Sequence, residues 1–175
     1  MNEIVIDAIG IPAPVGSKVR MPNGAIIEGG KGGAARRASQ EAWKAALGRA
    51  IDDHLRVHPM APLTGPVSVH GAFLFPLPAS DPYRTLHVGF PDLDKIQRLV
   101  GDLLKASGIV RDDSIIYRWD VEKVYARGNA HPGCRLIIRD HTEEEARWRD
   151  ENKRAAAERR RTRTADQPSL LGASA

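Results

Sequence analysis

Residues 91–123 constrain the fold most, because a helix pattern is followed there by a strand pattern and acidic residues stand at the start of each. The helix pattern consists of apolar side chains at i, i+3, i+4, i+7 and i+8, which are Ile96, Leu99, Val100, Leu103 and Leu104. This spacing is typical of a helix with one buried stripe. Acids before the stripe and Gly108 after it are helix start and stop signals. We therefore predict a helix over residues 93–106.

The second half of the stretch predicts a β-strand over residues 115–125, which are rich in β-branched and aromatic side chains. The strand is entered through the polar turn at residues 111–114. Asp92 and Asp94 thus begin the helix, and the pair Asp112–Asp113 begins the strand. A fold that packs the helix on the strand would bring these acids together.

Carboxylates that meet at one point repel one another unless a cation or a proton neutralises them. Oxygen ligation by a few carboxylates with retained water is what Mg²⁺ or Mn²⁺ prefers. The alternative is that Asp92 and Asp94 are acids favoured by the helix dipole, and that Asp112–Asp113 is only a turn pair. Short acidic motifs have many false positives, so spacing alone leaves both interpretations open.

The stretch resembles the central motif of the RusA family of Holliday junction resolvases, which are homodimeric, metal-dependent endonucleases of bacteria and their phages. The matching residues are Asp92-Leu93-Asp94, then Asp102-Leu103 inside the helix, then Asp112–Asp113 and a strand that ends in Lys123. The resemblance implies that Asp92, Asp94 and Asp113 are catalytic carboxylates that bind Mg²⁺ or Mn²⁺. It covers about a fifth of the chain well, and the rest only in layout.

The motif departs from the family pattern D-x-D-N-x-x-K at two positions, where this chain has Lys95 for the asparagine and Arg98 for the lysine. Arginine keeps the positive charge but does not release its proton, so Arg98 suits charge stabilisation and not proton transfer. Lys95 is the nearest replacement if the catalytic site needs an ammonium group. The alternative for Arg98 is an ion pair on the helix surface with Asp94 or Asp102.

The rest of the chain predicts an α+β fold of the RusA type, with a small mixed sheet, two packed helices and a projecting C-terminal helix. The further strands are expected at residues 3–12, 67–75 and 136–138, and the further helices at 35–55 and 142–163. A loop with Lys18 and Arg20 follows the first strand, and a flexible basic loop covers residues 29–33. We predict an endonuclease domain at residues 1–141 and a charged helix with a disordered tail at 142–175.

Composition favours a polyanionic partner, because the formal net charge is +4 and the isoelectric point is about 9.5. Candidate DNA contacts are basic residues, namely Lys18, Arg20, Arg36, Arg37 and Lys123. The alternative for Lys18, Arg20, Arg36 and Arg37 is a solvated surface charge. A single cysteine, Cys134, excludes an intramolecular disulfide framework. Without a signal peptide or a bilayer-spanning run, we expect a cytoplasmic protein with no membrane partner. We interpret His87 as a surface or capping residue.

Together these features predict a resolvase that nicks a four-way DNA junction on two strands as a homodimer with two metal sites. Two alternatives remain open. The same site suits a nuclease for flaps or replication forks, and the altered positions Lys95 and Arg98 suit a branched-DNA-binding protein that has lost cleavage.

Overall fold

The computed structural model describes residues 3–15, 17–20, 26–29 and 33–165, and the chain divides into two compact units at residues 1–140 and 141–175. The strands are β1 (Glu3–Ile9), β2 (Ser17–Arg20), β3 (Ile26–Gly29), β4 (Val67–Phe75), β5 (Ile116–Tyr125) and β6 (Gly133–Asp140). The helices are α1 (Gly33–Val57), α2 (Leu93–Ala106) and α3 (Thr142–Ala165). A 3₁₀ turn, Asp113–Ile115, precedes β5.

The first unit contains a four-stranded mixed sheet with the order β1-β6-β4-β5. β6 pairs antiparallel with both β1 and β4, whereas β4 and β5 run parallel. Parallel neighbours require a long crossover connection, and the connection from β4 to β5 contains α2. Both acidic segments of the sequence therefore lie within or at the end of this crossover.

The core lies where α1 and α2 pack with the sheet. β1 buries every second side chain, Ile4, Ile6 and Ala8. From α1 the buried residues are Trp43, Leu47 and Ile51, and from α2 they include Ile96, Leu99, Val100 and Leu104. Periodicity predicts the apolar stripe of α2 and also one in α1, which consists of Trp43, Ala46, Leu47, Ala50, Ile51 and Leu55. Both stripes lie in the core or pack against it. The prediction of an α+β fold with a mixed sheet and two packed helices is confirmed.

The observed limits of the helices and strands match the predicted limits in some elements and not in others. α2 and β4 have the predicted limits, whereas β1 ends at Ile9 and not at residue 12. Gly10 takes a φ of +155°, a conformation that few other residues adopt, and its N–H donates to Pro132 O, so the chain turns away there.

The loop predicted after the first strand is wrong for Ser17–Arg20, because these residues form β2, which pairs with β3 in a two-stranded antiparallel ribbon. Gly29, predicted as part of the basic loop, is the last residue of β3. These four-residue strands are too short to give a clear period-2 pattern. Residues 30–32 of the predicted basic loop lie outside the described residues.

The second unit contains α3, which begins with three glutamates, Glu143, Glu144 and Glu145. His141 Nδ1 and Glu144 form a hydrogen bond at its start. The helix continues with exposed side chains from 146 to 162, and even Trp148 is half exposed. In the described part of the chain, no helix combines the length and the apolar character that crossing a membrane would need.

Candidate active site

A cleft opens between α2 and the segment that leads into β5. Its lining residues are Asp94, Gln97, Arg98 and Gly101 from α2, with Asp113, Ile116 and Trp119 from the other side. The crossover from β4 to β5 thus brings an acid of the first motif and an acid of the second motif to one cavity. Gln97, Ile116 and Trp119 were not predicted as parts of the site.

Gly101 lies at the contact between α2 and the far wall of the cleft. A Cβ atom at this position would lie 3.6 Å from Asp113 Cβ and 3.9 Å from both Ile116 Cδ1 and Trp119 Cζ2. Glycine inside a helix costs up to about 1 kcal/mol relative to alanine, so its presence at a buried helix position was a signal of close packing. Sequence reasoning did not use that signal.

Asp94, Arg98 and Asp113 are the exposed charged groups of the cleft. Among the described residues Arg98 forms no ion pair, so the surface pair predicted as its alternative, with Asp94 or Asp102, does not form. Two carboxylates and an uncommitted guanidinium group therefore face a common solvent-filled space. This arrangement can bind a cation on the acids and a phosphate on the arginine.

Asp92 is placed differently. It is the N-cap of α2, with extended backbone angles, but its carboxylate makes no capping hydrogen bond to the described helix. Instead, Lys95 Nζ lies 2.8 Å from Asp92 Oδ2. The hydrogen bond and the charge of Lys95 lower the pKa of Asp92, and the charges of Lys123 and Arg36 lower it further. Asp92 therefore stays ionised beside three cations at the start of α2.

Asp112 and Asp113 are neighbours with different contacts. Lys105 Nζ lies 2.5 Å from Asp112 Oδ2 and 3.5 Å from Asp113 Oδ1. The Asp112 carboxylate also accepts a hydrogen bond of 3.0 Å from the Ser114 N–H, which caps the start of the 3₁₀ turn. These bonds hold the pKa of Asp112 well below its usual range, and Asp112 in turn raises the pKa of Lys105. Asp112 thus fixes the turn, while Asp113 lines the cleft.

The three predicted metal ligands do not form a ready cluster. Within the described residues, no group of three or more histidine, cysteine, aspartate or glutamate side chains is arranged to hold a metal ion. Asp94 and Asp113 share the cleft, and Asp92 is not among its lining residues. Mg²⁺ is usually held by one or two carboxylates with several waters and substrate phosphates, so the donor set present fits this ion.

The predicted DNA-contacting residues have separate environments. Arg36 lies over the ring of Phe90, 4.6 Å from its centroid, and Arg37 is exposed on α1. Lys123 Nζ donates hydrogen bonds of 2.7 Å to the carbonyl oxygens of Gly89 and Pro91. Lys123 thus orders the backbone that enters Asp92, a role that the sequence did not indicate. The side chains of Lys18 and Arg20 lie outside the described parts of the structure.

The interpretation of His87 as a surface or capping residue is wrong. Its ring stacks on Phe75 with centroids 4.0 Å apart and also contacts Tyr125. Its Nδ1 is buried and has no hydrogen-bond partner among the described residues. Burial lowers the pKa of His87, and the charges of Lys123 and Arg84 lower it further. His87 is therefore a neutral ring that packs the segment before Asp92 against Phe75 and Tyr125.

Cys134 is not a candidate nucleophile. It is buried in β6, and burial raises the pKa of its thiol to about 12. A thiol that stays protonated does not attack a phosphodiester.

The mixed sheet with an acidic cleft at its crossover agrees with the class of endonucleases that the sequence motif indicates. Residues 19–139 match the family model described as Endodeoxyribonuclease RusA. This match covers more than half of the chain, so the chain belongs to the RusA endodeoxyribonuclease family, as the motif predicted. A search of the curated proteins found no match. The family match ends within β6, before α3 begins.

Proposed function

We propose that this protein is a metal-dependent resolvase that cuts four-way DNA junctions by paired nicks, in recombination and repair. The family supports endodeoxyribonuclease action on Holliday junctions. The observation that carries the rest is that Asp94, Asp113 and Arg98 line one cleft. A cleft with two acids and a cation is suited to a phosphodiester, whose charge must be offset while water attacks phosphorus.

Asp94 and Asp113 would hold Mg²⁺ or Mn²⁺, with Asp92 at the edge of the site as the third acid. The bound ion would supply an acidified water and charge stabilisation at the phosphate. Arg98 contacts the non-bridging phosphate oxygens and offsets their charge, because a guanidinium group does not release its proton. Lys95, held beside Asp92 at the start of α2, is the candidate proton source for the leaving oxygen.

The junction also favours a two-fold arrangement. A four-way junction has near two-fold symmetry and needs two nicks, so we propose a C2 homodimer that presents two clefts. Basic residues such as Arg36 and Arg37 would contact the DNA backbone. Affinity that arises from such contacts falls steeply as salt concentration rises.

The direct test is to incubate the protein with a synthetic four-way junction and with a linear duplex of the same sequence. Each substrate is tested with Mg²⁺, with Mn²⁺ and with chelator. Paired, ligatable nicks in the junction alone, lost with chelator, are the expected result. A panel of flaps and forks distinguishes the proposed activity from a broader branched-DNA nuclease.

Asp113→Asn tests the site itself. It should abolish cleavage and leave junction binding nearly intact, because it removes a proposed ligand of the metal and no proposed DNA contact. Asp52→Asn is the matched control, because Asp52 is an exposed aspartate of α1 away from the cleft-lining residues, and it should cut normally. Loss of binding together with cleavage in Asp113→Asn would contradict the assignment.

One observation favours a second function. Lys95 and Lys105 already neutralise Asp92 and Asp112, and the family lysine is replaced by Arg98. These features suit a protein that binds branched DNA without cutting it. Tight junction binding with no nick under any metal would support this alternative.

A further inference from the structure

Residues 83–91, here called the edge segment, lie along the outer side of β5. Leu86 forms an antiparallel bridge with Val124. The His87 N–H donates to Lys123 O at 3.0 Å, and the Tyr125 N–H donates to Thr85 O at 3.3 Å. The edge segment is therefore paired with β5 through its backbone, although it is too irregular to form a strand.

Both ends of the edge segment are held by side chains. Arg127 donates hydrogen bonds to the carbonyl oxygens of Tyr83, at 2.8 Å, and Arg84. At the other end, Lys123 donates to Gly89 O and Pro91 O. The backbone that leads into Asp92 is thus fixed to β5.

The edge segment nevertheless exposes large apolar side chains, with Tyr83 87%, Leu86 58%, Val88 77% and Phe90 57% exposed. Phe90 is the closest of them in sequence to the acids, two residues before Asp92. Arg36 lies over the Phe90 ring and is close enough to Asp92 to lower its pKa. An exposed aromatic ring that carries a cation on a fixed backbone is suited to stack on a flat, electron-rich partner.

We infer that Phe90, with Arg36 on its ring, is a stacking platform for a nucleobase near the cleaved phosphate. This inference rests on the proposed function. Asp94, the first acid that lines the cleft, follows Phe90 by four residues, which span at most about 14 Å. Bases follow one another at about 3.4 Å along a strand, so the base on Phe90 would belong to a nucleotide within about four positions of the phosphate in the cleft.

A stacking platform would also explain selection of branched DNA. Bases inside a duplex are covered on both faces by their neighbours, whereas stacking is interrupted at a branch point. A base there can offer a free face without the cost of unstacking, which amounts to a few kcal/mol per step. Phe90 would therefore favour the junction over the linear duplex, while the Arg36 guanidinium group adds a charge for the backbone.

The test asks whether removal of the Phe90 ring and removal of a DNA base weaken junction binding independently or through the same contact. Junction binding is measured with chelator present, so that no strand is cut, for the natural sequence and for junctions with one abasic nucleotide near the branch point. The wild-type protein should lose about tenfold in affinity at one position. Phe90→Ala should bind the intact junction about tenfold more weakly and show no further loss at that position.

Two variants separate stacking from general apolar contact. Val88→Ala removes an even more exposed side chain from the same segment and should keep both junction affinity and abasic sensitivity. Phe90→Trp keeps an aromatic face, so its junction affinity should again fall at the abasic position, as that of the wild type does. Weakening of duplex and junction binding by the same factor in Phe90→Ala would overturn the inference.

Other outcomes are equally decisive. If Phe90→Ala retains the abasic sensitivity of the wild type, the ring does not contact the base and the inference fails. If Phe90→Ala changes the oligomeric mass in sedimentation, the ring belongs to a contact between subunits, which also overturns it. A protein that shows no preference for the junction over the duplex would overturn both this inference and the proposed function. If the protein prefers the junction but Phe90→Ala and the abasic nucleotide weaken binding independently, only the inference fails.

Discussion

A Cβ atom on Gly101 would lie 3.6 Å from the Cβ of Asp113, so there is room for a methyl group at this position and not for a larger side chain. An alanine at this position makes ordinary contact with Asp113, whereas a leucine would extend into the space occupied by Asp113 and Trp119. The two acids Asp94 and Asp113 can share the cleft because α2 offers no side chain between them and the turn.

The first prediction concerns this contact. Gly101→Leu should reduce junction cleavage at least about 100-fold, because displacing a catalytic group by about 1 Å costs that much. Gly101→Ala should retain cleavage within about threefold and add helix stability of up to about 1 kcal/mol. Single-turnover cleavage rates and urea unfolding of both variants check this. Equal activity in the two variants would contradict the role of Gly101.

The second prediction concerns the ion pair between Lys95 and Asp92. Lys95→Asn, which restores the family residue, should remove a cation that competes with the metal for Asp92. The Mg²⁺ concentration for half-maximal cleavage should fall by about two- to fivefold, the range expected for a surface ion pair. A Mg²⁺ titration of single-turnover cleavage measures the change. The maximal rate should fall as well, because Lys95 is the candidate proton source for the leaving oxygen; an unchanged maximal rate would contradict that role.

The third prediction concerns Lys123, which donates to the carbonyl oxygens of Gly89 and Pro91. Lys123→Met should leave both carbonyls unpaired and release the backbone before Asp92. We expect a loss of about 1–3 kcal/mol in the free energy of unfolding, together with a cleavage rate reduced about tenfold or more. Lys44→Met is the control, because Lys44 is exposed on α1. It should change neither the free energy of unfolding nor the cleavage rate. A slower rate with unchanged stability would indicate a DNA contact instead.

The fourth prediction concerns pH. Folding lowers the pKa of His87 from its ordinary value of 6.5, so the unfolded chain binds more protons between the two pKa values. The stability that His87 contributes is therefore present above about pH 6.5 and is lost as the pH falls towards the folded pKa. Thermal midpoints measured from pH 7.5 to pH 5 should decrease on acidification.

His87→Phe keeps a ring between Phe75 and Tyr125 without a titratable group, so its midpoint should depend less on pH over the same range. His54, whose pKa is also lowered by burial and by His58, accounts for part of the slope that remains. An unchanged slope in His87→Phe would show that the ring is not the titrating group.

Local patterns predicted what depends on local interactions. The limits of α2 and β4 and the apolar stripe of α1 follow from side-chain periodicity, which one element contains within itself. The family followed from a motif whose residues lie within about thirty positions. These features need no knowledge of how distant segments meet.

The parts that were missed depend on distant contacts or on weak signals. Gly89 and Pro91 meet Lys123 across 34 and 32 positions, and only the pairing of the edge segment with β5 brings them together. Asp92 pairs with Lys95 and is not among the lining residues of the cleft, an arrangement that the motif alone does not reveal. His87 was misplaced because stacking on Phe75 arises from tertiary packing. β2 and β3 were missed because their strands are short.

The edge segment has a further consequence for association between molecules. β5 is an outer strand of the four-stranded sheet, and an outer strand with unpaired backbone groups is a template for adding a strand from another chain. The backbone contacts of Thr85, Leu86 and His87 occupy this edge of β5 at its C-terminal end, from Lys123 to Tyr125. Unwanted strand addition, and the aggregation that follows from it, is therefore obstructed at that end of β5, and β1 is the other outer strand of that sheet.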